Sequence, residues 1–190
     1  GIDISFTTNG TQMDQTFIES SLPLTQWIKL SVNAAKPATY AKIHQTKEQD
    51  FNKVIENIGQ ATQYKRDNGL NCTIGVQTLL LPENADEIDE LARLCRDELK
   101  VDYLVVKPYS QHRFSKTRKY EKIDYNPYLT LEKKLKKWGT DEFQLIFRGH
   151  TMNKYINEDD RGYSKCNATP FLWGYIMALS LIHISEPTRR

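Results

Sequence analysis

The sequence predicts an α/β fold: a TIM-like (β/α) barrel of parallel strands, open or closed. Three observations lead there. Strand-like runs alternate with helical stretches as far as Pro108. The helices between them are long enough to serve as crossovers, which parallel strands require. The strands alternate apolar with polar residues, whereas strands buried on both faces are nearly apolar throughout. Right-handed crossovers wrap the helices on one side, so the apolar strand faces meet the helices and the polar faces line an interior.

The elements follow in order. A strand over Ile2 to Thr8 closes at the turn Asn9-Gly10, and a helical stretch runs near Gln12 to Ser20. A second strand spans Trp27 to Asn33. Phe51, Val54, Ile55, Ile58 and Ala61 then recur at helical spacing and mark an amphipathic helix that ends before Gly69. Cys72 to Leu81 is the third strand. Asn84, three residues before Glu87, has the pattern of a helix start. Ile88, Leu91, Ala92, Cys95 and Leu99 form one apolar stripe behind it, and Val101 to Lys107 is the fourth strand. Beyond Pro108 come a basic loop, a helix near Tyr128 to Trp138, and a strand over Phe143 to Arg148.

On the inward face the first three strands present Asp3, Ser5, Thr7 and Asn9, then Lys29, Ser31 and Asn33, then Thr73, Gly75 and Gln77. A packed barrel interior prefers branched apolar side chains. A polar one must be satisfied by a ligand or by water. An open sheet with one solvated face is the plainer alternative.

Bulk composition narrows the function classes. The chain has 190 residues, 39% hydrophobic and 26% charged, with mean hydropathy −0.61. A net charge of +2 gives no electrostatic footprint for nucleic acid. Lys133, Lys134, Lys136 and Lys137 interleave with Leu131, Leu135 and Trp138, the pattern of a solvated helix face. Cys72, Cys95 and Cys166 have no short spacing and make no disulfide framework, which suits a reducing cytoplasm. Cys72 and Cys95 read as small core residues. No stretch is apolar enough to span a bilayer.

The strand ends resemble those of the radical S-adenosylmethionine (radical SAM) superfamily. Ile4 to Gly10 is similar to its third barrel strand, which ends in Thr-Asn-Gly. Trp27 to Ala34 is similar to the fourth, with Val32 and Asn33 where Leu and Asp are usual. Thr73 to Asn84 and Tyr103 to Tyr109 resemble the fifth and sixth. Cys166 to Met177, beginning Cys166-Asn167-Ala168-Thr169-Pro170-Phe171, looks like the entry to the cysteine-bearing C-terminal extension of the SPASM and twitch subfamilies. The likeness covers residues 1–178 and rests on the order and spacing of five segments.

The resemblance implies an enzyme in which a [4Fe-4S] cluster reductively cleaves S-adenosylmethionine to a 5'-deoxyadenosyl radical that abstracts hydrogen, served by an electron donor such as flavodoxin or ferredoxin. By that analogy Ser31 and Asn33 reach the cofactor's ribose and carboxylate, and Thr8 and Asn9 sit beside its methionyl end. Gly75 and Gln77 face adenine or substrate, Lys107 closes the far side, and His44 or Lys42 pairs with the methionyl carboxylate. Cys166 is the expected ligand of an auxiliary iron-sulfur cluster. The family's Cys-x3-Cys-x2-Cys loop and Gly-Gly-Glu segment are absent from these 190 residues, so the chain is expected to be an inactive fragment.

The implied organisation is a barrel part over 1–125, strands three to six of the family core, and the start of the extension over 126–178. Residues 179–190 are expected to be a foreign tail, because Leu179 to Arg189 is the in-frame translation of a common transposase-type sequencing adapter. The native chain is accordingly expected to begin upstream of Gly1 and continue past Ala178. Two other classes stay open: an aldolase-like (β/α) barrel with Lys107 or Lys29 as Schiff-base former, and a non-catalytic α/β ligand-binding module.

Overall fold

The computed structural model describes residues 2–111, 117–156, 174–176 and 182–184. Gly1–Ile156 is one compact unit and Asn157–Arg190 another. In the first unit β1 (Ile4–Thr8), β2 (Thr25–Ser31), β3 (Thr73–Leu80), β4 (Tyr103–Pro108) and β5 (Gln144–Phe147) form one sheet in that order, every neighbouring pair parallel. The helices are α1 (Gln15–Ser21), α2 (Pro37–His44), α3 (Glu48–Asp67), α4 (Ile88–Arg93), α5 (Leu131–Leu135) and α6 (Gly149–Ile156). This is the α/β architecture of a partial (β/α) barrel. The sheet continues beyond residue 125 through β5. In the second unit β6 (Gly174–Ile176) pairs antiparallel with β7 (Ile182–Ile184).

The two-residue period of the strands sorts their side chains as the sequence predicts. On the helix side Ile28, Leu30, Ile74, Val76, Leu104 and Val106 are fully buried. Against them α3 brings Phe51, Val54, Ile58 and Ala61, while Ile88, Leu91, Ala92, Cys95 and Leu99 come from α4 and the π-helical segment Leu94–Glu98 with its C-cap. Each such side chain contributes roughly 1.5–3 kcal/mol when fully buried. Cys72 and Cys95 are core residues, and burial pushes both thiols up from their ordinary range.

Local chemistry fixes the helix ends. Asp14 caps α1 by accepting from the Phe17 amide at 2.9 Å, and Pro37 opens α2 at a position that needs no amide donor. Gly10 ends the turn after β1 at φ +81°, where an added Cβ would lie 2.9 Å from Leu30 Cδ2 and 3.2 Å from Val54. The Thr-Asn-Gly segment therefore has a packing reason of its own.

One expectation differs from the structure. Asn84 does not cap a helix through its side chain. Its Oδ1 accepts from Leu81 N at 2.9 Å and its Nδ2 donates to the Asn33 and Leu79 carbonyls, each at 2.8 Å. Glu87 crosses to the start of α2 instead, accepting from Ala35 N at 3.1 Å and from the Thr39 hydroxyl at 2.5 Å. A buried carboxylate is better satisfied by those two donors than by its own helix end. At the edge of the sheet β1 covers only part of its apolar face: Ile4 is 47% exposed and Ile2, just before the strand, 91%, because β1 pairs on one side alone among the described residues.

An exposed apolar edge strand templates association. The chain is expected to self-associate with rising concentration in analytical ultracentrifugation, and Ile4→Lys to shift it toward monomer. Unchanged sedimentation in that variant would show that β1 is not the contact.

Candidate functional site

The inner face of the sheet is read off the strand register. Lys29, Gly75, Tyr103 and Gln144 pair in one row across β2 to β5, and Ser31, Gln77, Val105 and Ile146 in the row toward the C-terminal ends. Leu79 pairs with Lys107 in the row beyond. Arg148 follows Phe147, the partner of Val106, and so stands beside Lys107.

A cavity of about 730 Å³ opens over this face. Gln77, Leu79, Tyr103, Val105 and Ile146 form its floor. Lys29, Lys107 and Arg148 bring positive charge, and Tyr109, Thr151 and Tyr155 contribute to its walls, the last two from α6. The interior is thus mixed rather than uniformly polar. Burial, with the positive charges of Lys29 and Arg148, draws the Lys107 ammonium below the ordinary lysine range.

The sequence-predicted residues fall into three groups. Ser31 and Gln77 are register partners on the inner face, and neither side chain has a hydrogen-bond partner among the described residues. Lys107 lines the cavity with Gln77. Gln77 is thus neighbour to Ser31 in the sheet and to Lys107 in the cavity, while Ser31 itself stands outside the lining.

The second group is committed within the fold. Asn33 takes a left-handed backbone (φ 60°), its Oδ1 accepting from Leu79 N at 2.8 Å while its carbonyl accepts from Asn84. The His44 Nε2–H donates to the Val32 carbonyl at 2.9 Å and the ring stacks on Tyr40 at 4.2 Å; burial lowers its pKa from the ordinary value. Gly75 faces inward, but the Tyr103 ring occupies the space its Cβ would take, with Cζ only 2.1 Å from that point.

The third group sits at the β1 end. The Thr8 hydroxyl accepts from Gly10 N at 3.1 Å, and Asn9 Oδ1 accepts from the Thr11 amide and hydroxyl at 3.1 and 2.9 Å, the Asx pattern of a tight turn. Cys166 lies outside the described residues. Among the described residues no three His, Cys, Asp or Glu side chains group as metal ligands, and no helix is long and apolar enough to cross a membrane.

Tyr103, Arg148 and Tyr155, which the sequence reading did not single out as site residues, also line the cavity, and Tyr125 braces a lining segment through Tyr109. Period-two alternation carried through β5 from Gln144 and Ile146 puts Arg148 on the inner face, so that signal was available. Tyr125 gave none. Its buried hydroxyl accepts from Tyr109 N at 2.8 Å and donates to the Leu80 carbonyl at 3.4 Å, tying the ends of β3 and β4 together at the cavity mouth.

No protein-family model matches the sequence, and no curated protein matches it. Among solved structures the chain is similar to SuiB of Streptococcus suis, whose crystal structure is bound to S-adenosylmethionine. The TM-score is 0.53 at 18% identity, over 84% of this chain and 36% of SuiB. The chain therefore spans about a third of SuiB's length, and at this identity the likeness is one of fold.

Burial raises the Tyr125 pKa to about 12 from an ordinary 10.0. Tyr125→Phe is expected to lower stability by about 1–3 kcal/mol, since it leaves the Tyr109 amide and Leu80 carbonyl short of a partner. The neutral phenol is the form the fold favours. Its stabilisation is complete below pH 10.0 and is lost as pH rises through about 12. Denaturant melts across that window should fall faster for the wild type than for Tyr125→Phe; equal slopes would contradict the assignment.

Proposed function

We infer that this chain is part of a radical SAM barrel enzyme and supplies one wall of its cofactor and substrate site. The observation that carries the reading is the pairing of Ser31 with Gln77 on the inner face of five sequential parallel strands, in a fold similar to that of a protein solved with S-adenosylmethionine bound. Both side chains lie near the C-terminal strand ends, where barrels of this type hold ligands. Neither has a hydrogen-bond partner among the described residues, and a hydroxyl and an amide on adjacent strands suit a ribose or an adenine edge.

The residues fit S-adenosylmethionine in that respect. The described residues offer no ligands for a [4Fe-4S] cluster: Cys72 and Cys95 are packed in the core on the helix side, and burial disfavours their thiolate forms. When bound, S-adenosylmethionine supplies the hydrogen-abstracting chemistry in the resembled family. This chain's part is to orient and to exclude water. Ser31 and Gln77 offer donors and acceptors on a rigid strand pair, Leu79, Val105 and Ile146 make an apolar floor, and Tyr125 holds the strand ends that shape the mouth.

Equilibrium dialysis with labelled S-adenosylmethionine tests the reading. Saturable binding is expected, weakened roughly three- to tenfold in Ser31→Ala or Gln77→Ala, the range of one lost hydrogen bond. Binding indifferent to both substitutions, or none at all, would overturn it.

One observation favours a second reading. Lys107, half-buried and beside two other cations, has the setting that turns a lysine into a Schiff-base former. Borohydride reduction in the presence of pyruvate, read by peptide mass, decides. A covalent adduct on Lys107 would favour an aldolase-like barrel, and an unmodified Lys107 is what the radical SAM reading expects.

A further inference from the structure

Among the described residues, those that line the cavity on the inner face bring three cations and no acid. Lys29 comes from β2, Lys107 from β4 and Arg148 from the end of β5, and no Asp or Glu is among the described residues that line the space. None of the three charged heads has an ion-pair or hydrogen-bond partner among the described residues. Lys65, at the N-terminal end of the strands, shows the ordinary arrangement: both oxygens of Asp102 lie 2.6 Å from its ammonium. Lys107 is half-buried, Arg148 is exposed beside it, and the Lys29 ammonium lies over the Trp27 ring, 5.4 Å from its centroid; the repulsion between neighbouring cations is relieved when an anion sits between them.

The surroundings narrow that anion's class. Tyr103, Tyr109 and Tyr155 offer ring faces and hydroxyls, while Leu79, Val105 and Ile146 offer apolar surface. Arg148 supplies a planar fork that matches a carboxylate or phosphate, and Lys107 a compact charge at its side. We propose that this cavity binds the oxyanion of an anionic substrate, a carboxylate or phosphate carried on a ring, with Arg148 and Lys107 holding the charged group and the tyrosines flanking the ring. The proposal rests on reading the inner face as a ligand site, and it deepens that reading by naming the substrate's chemistry. The carboxylate of S-adenosylmethionine is the competing source of such a charge. Lys107 and Arg148 stand on the strands farthest from β1, across the sheet from the Thr8 and Asn9 turn, which favours the substrate.

The test is calorimetric titration of the whole chain with phenyl phosphate, and with phenol as its uncharged counterpart. The wild type is expected to bind phenyl phosphate saturably at one site and phenol at least tenfold more weakly. Lys107→Met and Arg148→Met should each weaken phenyl phosphate at least tenfold, with Lys133→Met on the exposed helix face unchanged. Circular dichroism checks that the variants are folded, and Lys107→Gln repeats the test with a polar side chain. Failure of the folded wild type to bind, or binding that survives both lumen substitutions, overturns the proposal.

Dialysis of S-adenosylmethionine against the same variants separates this claim from the one it builds on. Cofactor binding within threefold of wild type in Lys107→Met and Arg148→Met is expected. A tenfold loss there assigns the charges to the cofactor's carboxylate and overturns the substrate site. Phenyl phosphate binding that depends on Lys107 and Arg148, in a chain that does not take up S-adenosylmethionine, removes the radical SAM reading and leaves the oxyanion site standing.

Discussion

The sheet of this protein obeys one constraint from which most else follows: at every second position each strand must give the helices an apolar side chain, and parallel register forces all five strands to do so in phase. Ile28, Ile74 and Val76 are buried to the last atom because α3 and the α4 region cover them. The residues between them have no choice of face. Lys29, Ser31, Gln77, Tyr103 and Lys107 reach the interior because their neighbours are taken. A slip of one residue in β2 would drive Lys29 into the core, a penalty of several kcal/mol for an unpaired buried ammonium. Core and candidate site are thus specified by the same pattern.

The strand ends are then held by a buried polar frame. Asn33 binds the Leu79 amide, Asn84 binds the Asn33 and Leu79 carbonyls, Glu87 binds the Ala35 amide, and Tyr125 spans Leu80 and Tyr109. Each group satisfies backbone that would otherwise be orphaned where β2, β3 and β4 leave the sheet. The consequence for function is rigidity. The cavity floor sits on strands whose exits are fixed, the arrangement that keeps a binding geometry within narrow limits.

What the sequence made legible tracks periodicity. The strands, the long amphipathic helix, the stripe from Ile88 to Leu99 and the inward Lys29, Ser31 and Gln77 follow from spacing alone, because local period and burial agree there. Side-chain commitments across long separations do not. Asn33 lies 46 residues from Leu79 and Glu87 lies 52 from Ala35. Nothing in the local sequence distinguishes an asparagine aimed at a ligand from one aimed at a neighbouring strand. Gly75 shows the same limit: an inward glycine reads as room for a ligand, whereas the Tyr103 ring fills that room. Arg148 was legible in principle, since the alternation of β5 extends to it.

The central claim is that ligands meet this protein on the inner face of the sheet. Amide chemical-shift mapping in an isotope-labelled chain titrated with S-adenosylmethionine examines that face directly, residue by residue. The account predicts the largest shifts at Ser31 and Gln77 and in their strand neighbours, with exposed positions of α3 such as Lys53 and Glu56 unmoved. Shifts confined to the helices on the outer side, or none on β2 and β3, would contradict it.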